Sequence, residues 1–127
     1  MTRILIIEDD NVVREMLCDM LEEDGHEAVE ATDGEKGILL YRKAPTDLVI
    51  TDIIMPNKDG IETIMELTAE YPDVKIIAIS GGSRMIPTNF LGTAEKFGAL
   101  RTIQKPFERS ELLGAVRELL DQQNLNS

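Results

Sequence analysis

The chain has 127 residues, enough for one ordinary domain and too few for two. Hydrophobic residues are 43% of it and aromatics only 4%, so its core must be built from Ile, Leu, Val, Met and Ala. Twenty-four acidic residues against 13 Lys and Arg give a formal charge of −11, which excludes nonspecific binding to nucleic acid or to an anionic membrane and suits docking to basic surfaces or concentrating a cation.

Met1-Thr2-Arg3 leads directly into the apolar run Ile4-Leu5-Ile6-Ile7, so no cleavable leader is expected, and the apolar runs are too short to span a bilayer. A single cysteine, Cys18, excludes an internal disulfide framework, and a cytoplasmic setting is expected. The first run is continuously apolar, as in a strand covered on both faces. Val12, Val13, Met16, Leu17, Met20 and Leu21 then recur at helical spacing, with Asp10 or Asn11 as N-cap and Gly25 as stop. Cys18 reads as a buried or half-buried hydrophobe, Met16 and Met20 as core filler, and Asp19, Glu22, Glu23 and Asp24 as a solvated face. His26 reads as an exposed residue entering a weaker edge strand, Glu27 to Ala31, where Ala28 and Val29 are flanked by acids.

Gly34 to Arg42 is a less regular helix ending before Pro45, followed by a strand at Leu48-Val49-Ile50-Thr51. Ile61, Ile64, Met65 and Leu67 mark a helix that ends before Pro72, and Lys75 to Ile79 a fourth strand. Phe90, Leu91, Ala94 and Phe97 mark another helix closed by Gly98, and Leu100 to Ile103 a fifth strand. Leu112, Leu113, Val116, Leu119 and Leu120 form the last helix, capped near Ser110 with Glu111 in its first turn. One domain over residues 1–121 and a frayed polar tail over 122–127 are expected. Five β-α repeats imply an α/β fold with a parallel sheet, right-handed crossovers and helices on both faces.

Open parallel sheets bind ligands beyond the carboxyl ends of their strands. Glu8, Asp9 and Asp10 follow the first strand, Asp52 the third, Ser80-Gly81-Gly82 the fourth and Lys105-Pro106 the fifth. Glu8, Asp9 and Asp52, with a hydroxyl and a lysine, thus converge on one edge, and Asp10 lies beside them. Two carboxylates about 4 Å apart repel by about 4 kcal/mol at an effective dielectric near 20, so such a cluster calls for a cation. Hard oxygen donors with room for water suit Mg²⁺, and an Asp beside Mg²⁺, a Lys and a hydroxyl can accept a phosphoryl group as an acyl phosphate. Asp10 is assigned to the helix cap rather than to the metal.

The sequence resembles the receiver domains of two-component response regulators, of the single-domain chemotaxis type, over Arg3 to about Asp121. The resemblance rests on Ile4-Leu5-Ile6-Ile7-Glu8-Asp9, Thr51-Asp52-Ile53-Ile54-Met55-Pro56 with Asp59-Gly60, Ala78-Ile79-Ser80-Gly81 and Lys105-Pro106-Phe107. It implies a flavodoxin-like (βα)5 fold with strand order 2-1-3-4-5, an order that chemotaxis receivers share with flavodoxin. It further implies Asp52 as phosphoacceptor, Asp9 as direct Mg²⁺ ligand, Glu8 as a ligand through water and the Ile54 main-chain carbonyl as another. Ser80 would turn toward the phosphoryl group, Lys105 would bond to it, and the Lys105-Pro106 bond would be cis. The implied donor is a sensor histidine kinase or histidine phosphotransfer protein, and the output passes to a downstream protein through a surface spanning roughly Thr88 to Leu120. The chain would be a monomer or a phosphorylation-dependent dimer, and not a conventional enzyme.

Thr102 stands where the family often has a rotating aromatic switch residue, and Gln104 where an aliphatic one is usual; Ile54 and Gly82 occupy positions that tune phosphoryl lifetime. An aspartyl-phosphate phosphatase would want a second acid at Ile54, and a flavin carrier a hydroxyl-rich loop after the first strand and flanking aromatics. The alternative that keeps the fold is a phosphorylation-independent protein-binding module.

Overall fold

The computed structural model describes residues 2–53, 60–80, 95–96 and 98–125. The apolar runs form five strands: β1 (Arg3–Ile7), β2 (Glu27–Ala31), β3 (Leu48–Asp52), β4 (Ile76–Ser80) and β5 (Arg101–Gln104). All pair in parallel, in the order β2-β1-β3-β4-β5. The described helices are α1 (Asn11–Glu23), α2 (Gly34–Lys43), α3 (Gly60–Glu70) and α4 (Arg109–Leu125). Of the helical pattern at Phe90 to Phe97, only Glu95 and Lys96 are described, and both are helical; Gly98, with φ +129°, follows them.

Alternation along each strand explains why the runs are unbroken. Leu5, Ile7, Val49, Ile76 and Ala78 face one side, against Ile38 and Tyr41 of α2 and Ile64 and Leu67 of α3. Ile4, Ile6, Ile50, Ile77, Ile79 and Ile103 face the other, against Leu17 and Leu21 of α1 and Leu112, Val116 and Leu119 of α4. Both faces are dry, and each fully buried Ile or Leu contributes about 1.5–3 kcal/mol. β2, with Glu27 and Glu30 exposed, is an edge as expected.

Strand ends differ from the expected ones by a residue. Pairing continues through Asp52, opposite Ile79, and through Ser80, opposite Gln104, because backbone ladders do not depend on side-chain polarity. The strands therefore carry their chemical groups to the sheet's end. Gln104 itself is exposed.

Asp10 is the N-cap of α1, its Oδ1 accepting from the Val12 and Val13 amides at 2.9 and 3.3 Å. Asp10→Ala is expected to lower stability by about 1 kcal/mol in urea unfolding. A loss near zero would show that water replaces the cap.

Three expectations for α1 and α4 are corrected. Met16 is 39% exposed and does not fill the core, whereas Met20 is half-buried and packs against it; Val12, on the same helix, is 76% exposed. The covered stripe instead runs Arg14, Leu17, Cys18, Leu21, at i, i+3, i+4 and i+7. His26 is not exposed: its ring nitrogens are shielded and lack hydrogen bonds, although Nε2 lies 3.3 Å from Asp24 Oδ2. α4 starts at Arg109, so Ser110 lies inside it, while Glu111 does occupy the first turn. The acidic end of α1 is solvated at Asp19, Glu22 and Glu23, while Asp24 is half-buried; Glu23 pairs with Arg109 and Asp24 with Arg117, tying α1 to α4. The Arg117 hydrogen bonds hold the Asp24 carboxyl below its ordinary range.

Cys18 is buried, and burial, reinforced by Glu30, pushes its thiol up to about 12. It is packing, not a nucleophile.

Candidate functional site

The site forms where β1, β3, β4 and β5 end. Glu8 follows β1 and is 1% exposed; Asp52 closes β3 and is 7% exposed; Asp9 is exposed at the rim. One carboxylate oxygen from each of the three lies within 4.8 Å of the others. Ser80 closes β4, buried, and its hydroxyl has no hydrogen-bond partner among the described residues. Lys105 follows β5, its amide donating to the Ser80 carbonyl at 2.7 Å, and the Lys105-Pro106 bond is cis.

Part of the negative charge of the acid cluster is offset by the chain itself. Lys105 Nζ lies 2.9 Å from Glu8 Oε1 and 3.3 Å from Asp52 Oδ2. Burial, then the charge of Asp52, raises the Glu8 pKa, and the Lys105 hydrogen bond opposes the rise. Asp9 is raised by its partial burial and by Glu8. Burial works to lower Lys105, but its bonds and attraction to Glu8 and Asp52 outweigh that and raise it. Lys105 is thus a fixed positive charge at any ordinary pH.

Two further residues hold this arrangement: Arg14, which lies outside the site motifs, and Gly60, which the motifs include without showing its role. Arg14, on the covered stripe of α1, donates from Nη1 to the Glu8 carbonyl at 2.9 Å and from Nε to Glu30 at 3.1 Å. Its place one turn before Leu17 and Cys18 is the signal that could have found it. Gly60 opens α3 against the end of β3: its amide donates to the Ile53 carbonyl at 2.7 Å, and a Cβ there would stand 2.1 Å from the Asp52 carbonyl oxygen. Only glycine permits that approach.

Ile54 and Gly82 lie outside the described residues, as does part of the Thr88 to Leu120 surface. Thr102 is half-buried on β5, opposite Ala78.

Three carboxylates with oxygens this close, one of them open to solvent, fit a small hard divalent cation such as Mg²⁺. Saturating Mg²⁺ at 100 times its Kd is expected to add about 2.7 kcal/mol and to raise the melting temperature by roughly 3–8 °C over EDTA at equal ionic strength. Asp9→Ala should lose most of that rise. It should gain little in EDTA, because Asp9 is exposed and Lys105 already offsets the other two acids. A full Mg²⁺ response in Asp9→Ala would place the cation elsewhere.

The model of the response regulator receiver domain family matches residues 4–117. The chain is 36% identical over 121 residues to protein CcdB of Bacillus subtilis, covering 94% of this chain and 98% of that protein. It is 35% identical over 118 residues to the chemotaxis protein CheY of Thermotoga maritima, covering 92% and 96%. It spans only 54% of a longer relative, a transcriptional regulatory protein. The structure of response regulator TrrA from Thermotoga maritima, in complex with Mg(2+)-BeF, superposes with a TM-score of 0.84 at 31% identity, covering 94% of this chain and 99% of that one. The chain therefore belongs to the receiver domains of two-component response regulators, which are signalling modules rather than conventional enzymes. Receiver domains bind Mg²⁺ at an acidic pocket and interact with sensor kinases, phosphotransfer proteins and downstream effectors. Among the described residues no helix is long and apolar enough to cross a membrane.

Proposed function

We propose that this chain is a phosphoacceptor switch that takes a phosphoryl group on Asp52 from a phosphohistidine donor. The observation that carries the reading is the meeting of Glu8, Asp9 and Asp52 with Lys105 Nζ at the ends of four parallel strands. An Asp52 carboxylate oxygen attacks phosphorus, the bond from phosphorus to the donor nitrogen breaks, and that nitrogen leaves with its electron pair. Bound Mg²⁺, held by Glu8, Asp9, Asp52 and the Ile54 carbonyl, would supply neutralisation of the phosphoryl oxygens. Lys105 transfers its hydrogen bond from the Asp52 carboxylate to the arriving phosphoryl group, and the Ser80 hydroxyl donates another. The TrrA structure with Mg²⁺ and beryllium fluoride, a phosphoryl mimic, supports this ligand pair. A small phosphodonor such as acetyl phosphate with Mg²⁺ tests the reading directly. Uptake of one phosphoryl group per chain is expected, and no uptake would leave a phosphorylation-independent binding module.

The signal then passes through Ser80 and Thr102 to the Thr88 to Leu120 surface, in a cytoplasmic setting, to a downstream protein. Thr102 lies one strand from Ala78 and can repack when Ser80 moves. Beryllium fluoride is expected to shift amide NMR signals of residues 88–104 in the wild type and markedly fewer in Lys105→Ala. Shifts confined to the acid cluster would end the switch reading.

A further inference from the structure

At the end of the sheet opposite Asp52, the chain entering β3 and the chain entering β4 enclose an open cavity of about 360 Å³. Tyr41 and Tyr71, the chain's two tyrosines, form part of its wall, their rings edge to face with centroids 4.8 Å apart. The rest of the wall includes Asp47, Glu70, Asp73 and Lys75. β3 separates this cavity from the phosphoacceptor by about 17 Å, at roughly 3.3 Å per residue.

Tyr41 is only 6% exposed, yet its hydroxyl makes no hydrogen bond among the described residues. That atom is not among the sealed, orphaned polar atoms of the core, so it opens to the cavity that Tyr41 lines. A phenol this deeply set ordinarily finds a partner. The charges around it are also unbalanced. Glu70 is paired with Arg42, and the Lys75 ammonium is drawn away to the Leu119 carbonyl at 2.7 Å. Asp47 uses Oδ2 to accept from the Arg3 amide at 2.8 Å and keeps Oδ1 spare, while Asp73 makes no ion pair or hydrogen bond among the described residues. The cavity thus presents two carboxylates and a phenol oxygen as open acceptors, two aromatic rings, and no free cation of its own among the described residues.

We propose that this cavity binds an organic cation, an alkylammonium or guanidinium group on a short aliphatic stem. The charged head would be held by Asp47, Asp73 and the Tyr41 hydroxyl, and the stem would lie on the tyrosine rings and Val74. The cation is either a free amine or the side chain of a basic residue on a partner, with the same chemistry in both cases.

Putrescine, its uncharged analogue 1,4-butanediol and the peptide acetyl-Gly-Lys-Gly-amide are titrated into the full chain at constant ionic strength, with amide NMR as readout. Putrescine is expected to shift residues 41, 46–47 and 70–75, and butanediol is not. Loss of a hydrogen bond to a charged group costs about tenfold in affinity, so the double substitution Asp47→Asn, Asp73→Asn should weaken putrescine at least about tenfold and Tyr41→Phe several-fold. Asn keeps an acceptor for the Arg3 amide and Phe keeps the buried ring, so both variants should give native spectra. Tighter binding of the peptide than of putrescine assigns the site to a partner's side chain, and the reverse assigns it to a free amine; either supports the proposal. Shifts confined to Glu8, Asp9 and Asp52, or spread over the whole acidic surface, would overturn it. So would equal affinity in wild type and the double variant.

Discussion

With acetyl phosphate and Mg²⁺, the wild-type chain is expected to gain one phosphoryl mass and Asp52→Asn none. The effect is all-or-none because an amide lacks the anionic oxygen that attacks phosphorus, although Asn matches the carboxylate in shape. The other two acids are poor substitutes. Glu8 is 1% exposed and hydrogen-bonded to Lys105 and, through Oε2, to the Asp10 amide at 3.3 Å. Asp9 is accessible but forms no ion pair among the described residues to offset the charge of a transferred group. Lys105→Met should still label, more slowly, because the acyl phosphate would lose its fixed counter-charge. Labelling of Asp52→Asn equal to wild type would move the acceptor to another acid.

Gly60→Ala is expected to destabilise the fold by about 3 kcal/mol, at the upper end of overpacking costs. That corresponds to a fall of roughly 10 °C in melting temperature for a domain of this size. The added methyl would stand 2.1 Å from the Asp52 carbonyl oxygen and 2.6 Å from the Ile53 Cα. Both are backbone atoms, at the end of β3 where Asp52 pairs with Ile79 and the Ile53 amide donates to the Ile79 carbonyl, so they cannot rotate away as a side-chain tip would. The displacement falls on Asp52, the proposed phosphoacceptor, and labelling should slow even at temperatures where the variant is folded. Gly114→Ala provides the contrast. It lies in α4 with nothing within 4 Å of an added Cβ, and should stabilise by about 0.5–1 kcal/mol by restricting the unfolded chain. A gain in Gly60→Ala like that in Gly114→Ala would mean that helix propensity, not contact with β3, decides the Gly60 result.

The sheet was legible because its central strands are dry on both sides. Unbroken runs such as Ile4 to Ile7 fit few other structures, and acids placed directly after them had to meet at one edge. Periodicity was less informative on α1, since it shows which residues share a face but not how wide a face the sheet covers. Met16 and Val12 sit beyond that width, while Arg14 lies within it and sends its guanidinium out to Glu8 and Glu30. His26 illustrates the same gap: its burial comes from packing around the α1–β2 turn that no local pattern records. The contact of Lys105 with Glu8 was hidden because a lysine expected to meet a ligand gives no sign of which acid it rests on beforehand.

Lys105 reaches Glu8 across 97 residues of chain and Asp52 across 53. Synthesis proceeds from the N-terminus, so both acids leave the ribosome well before the lysine that offsets them. Until the last strand adds to the sheet's edge, the growing chain holds Glu8 and Asp52 without the Lys105 ammonium that offsets them. On the proposed reading, readiness to receive a signal is then a property of the finished sheet, and a chain still lacking β5 is expected to stay silent to a donor.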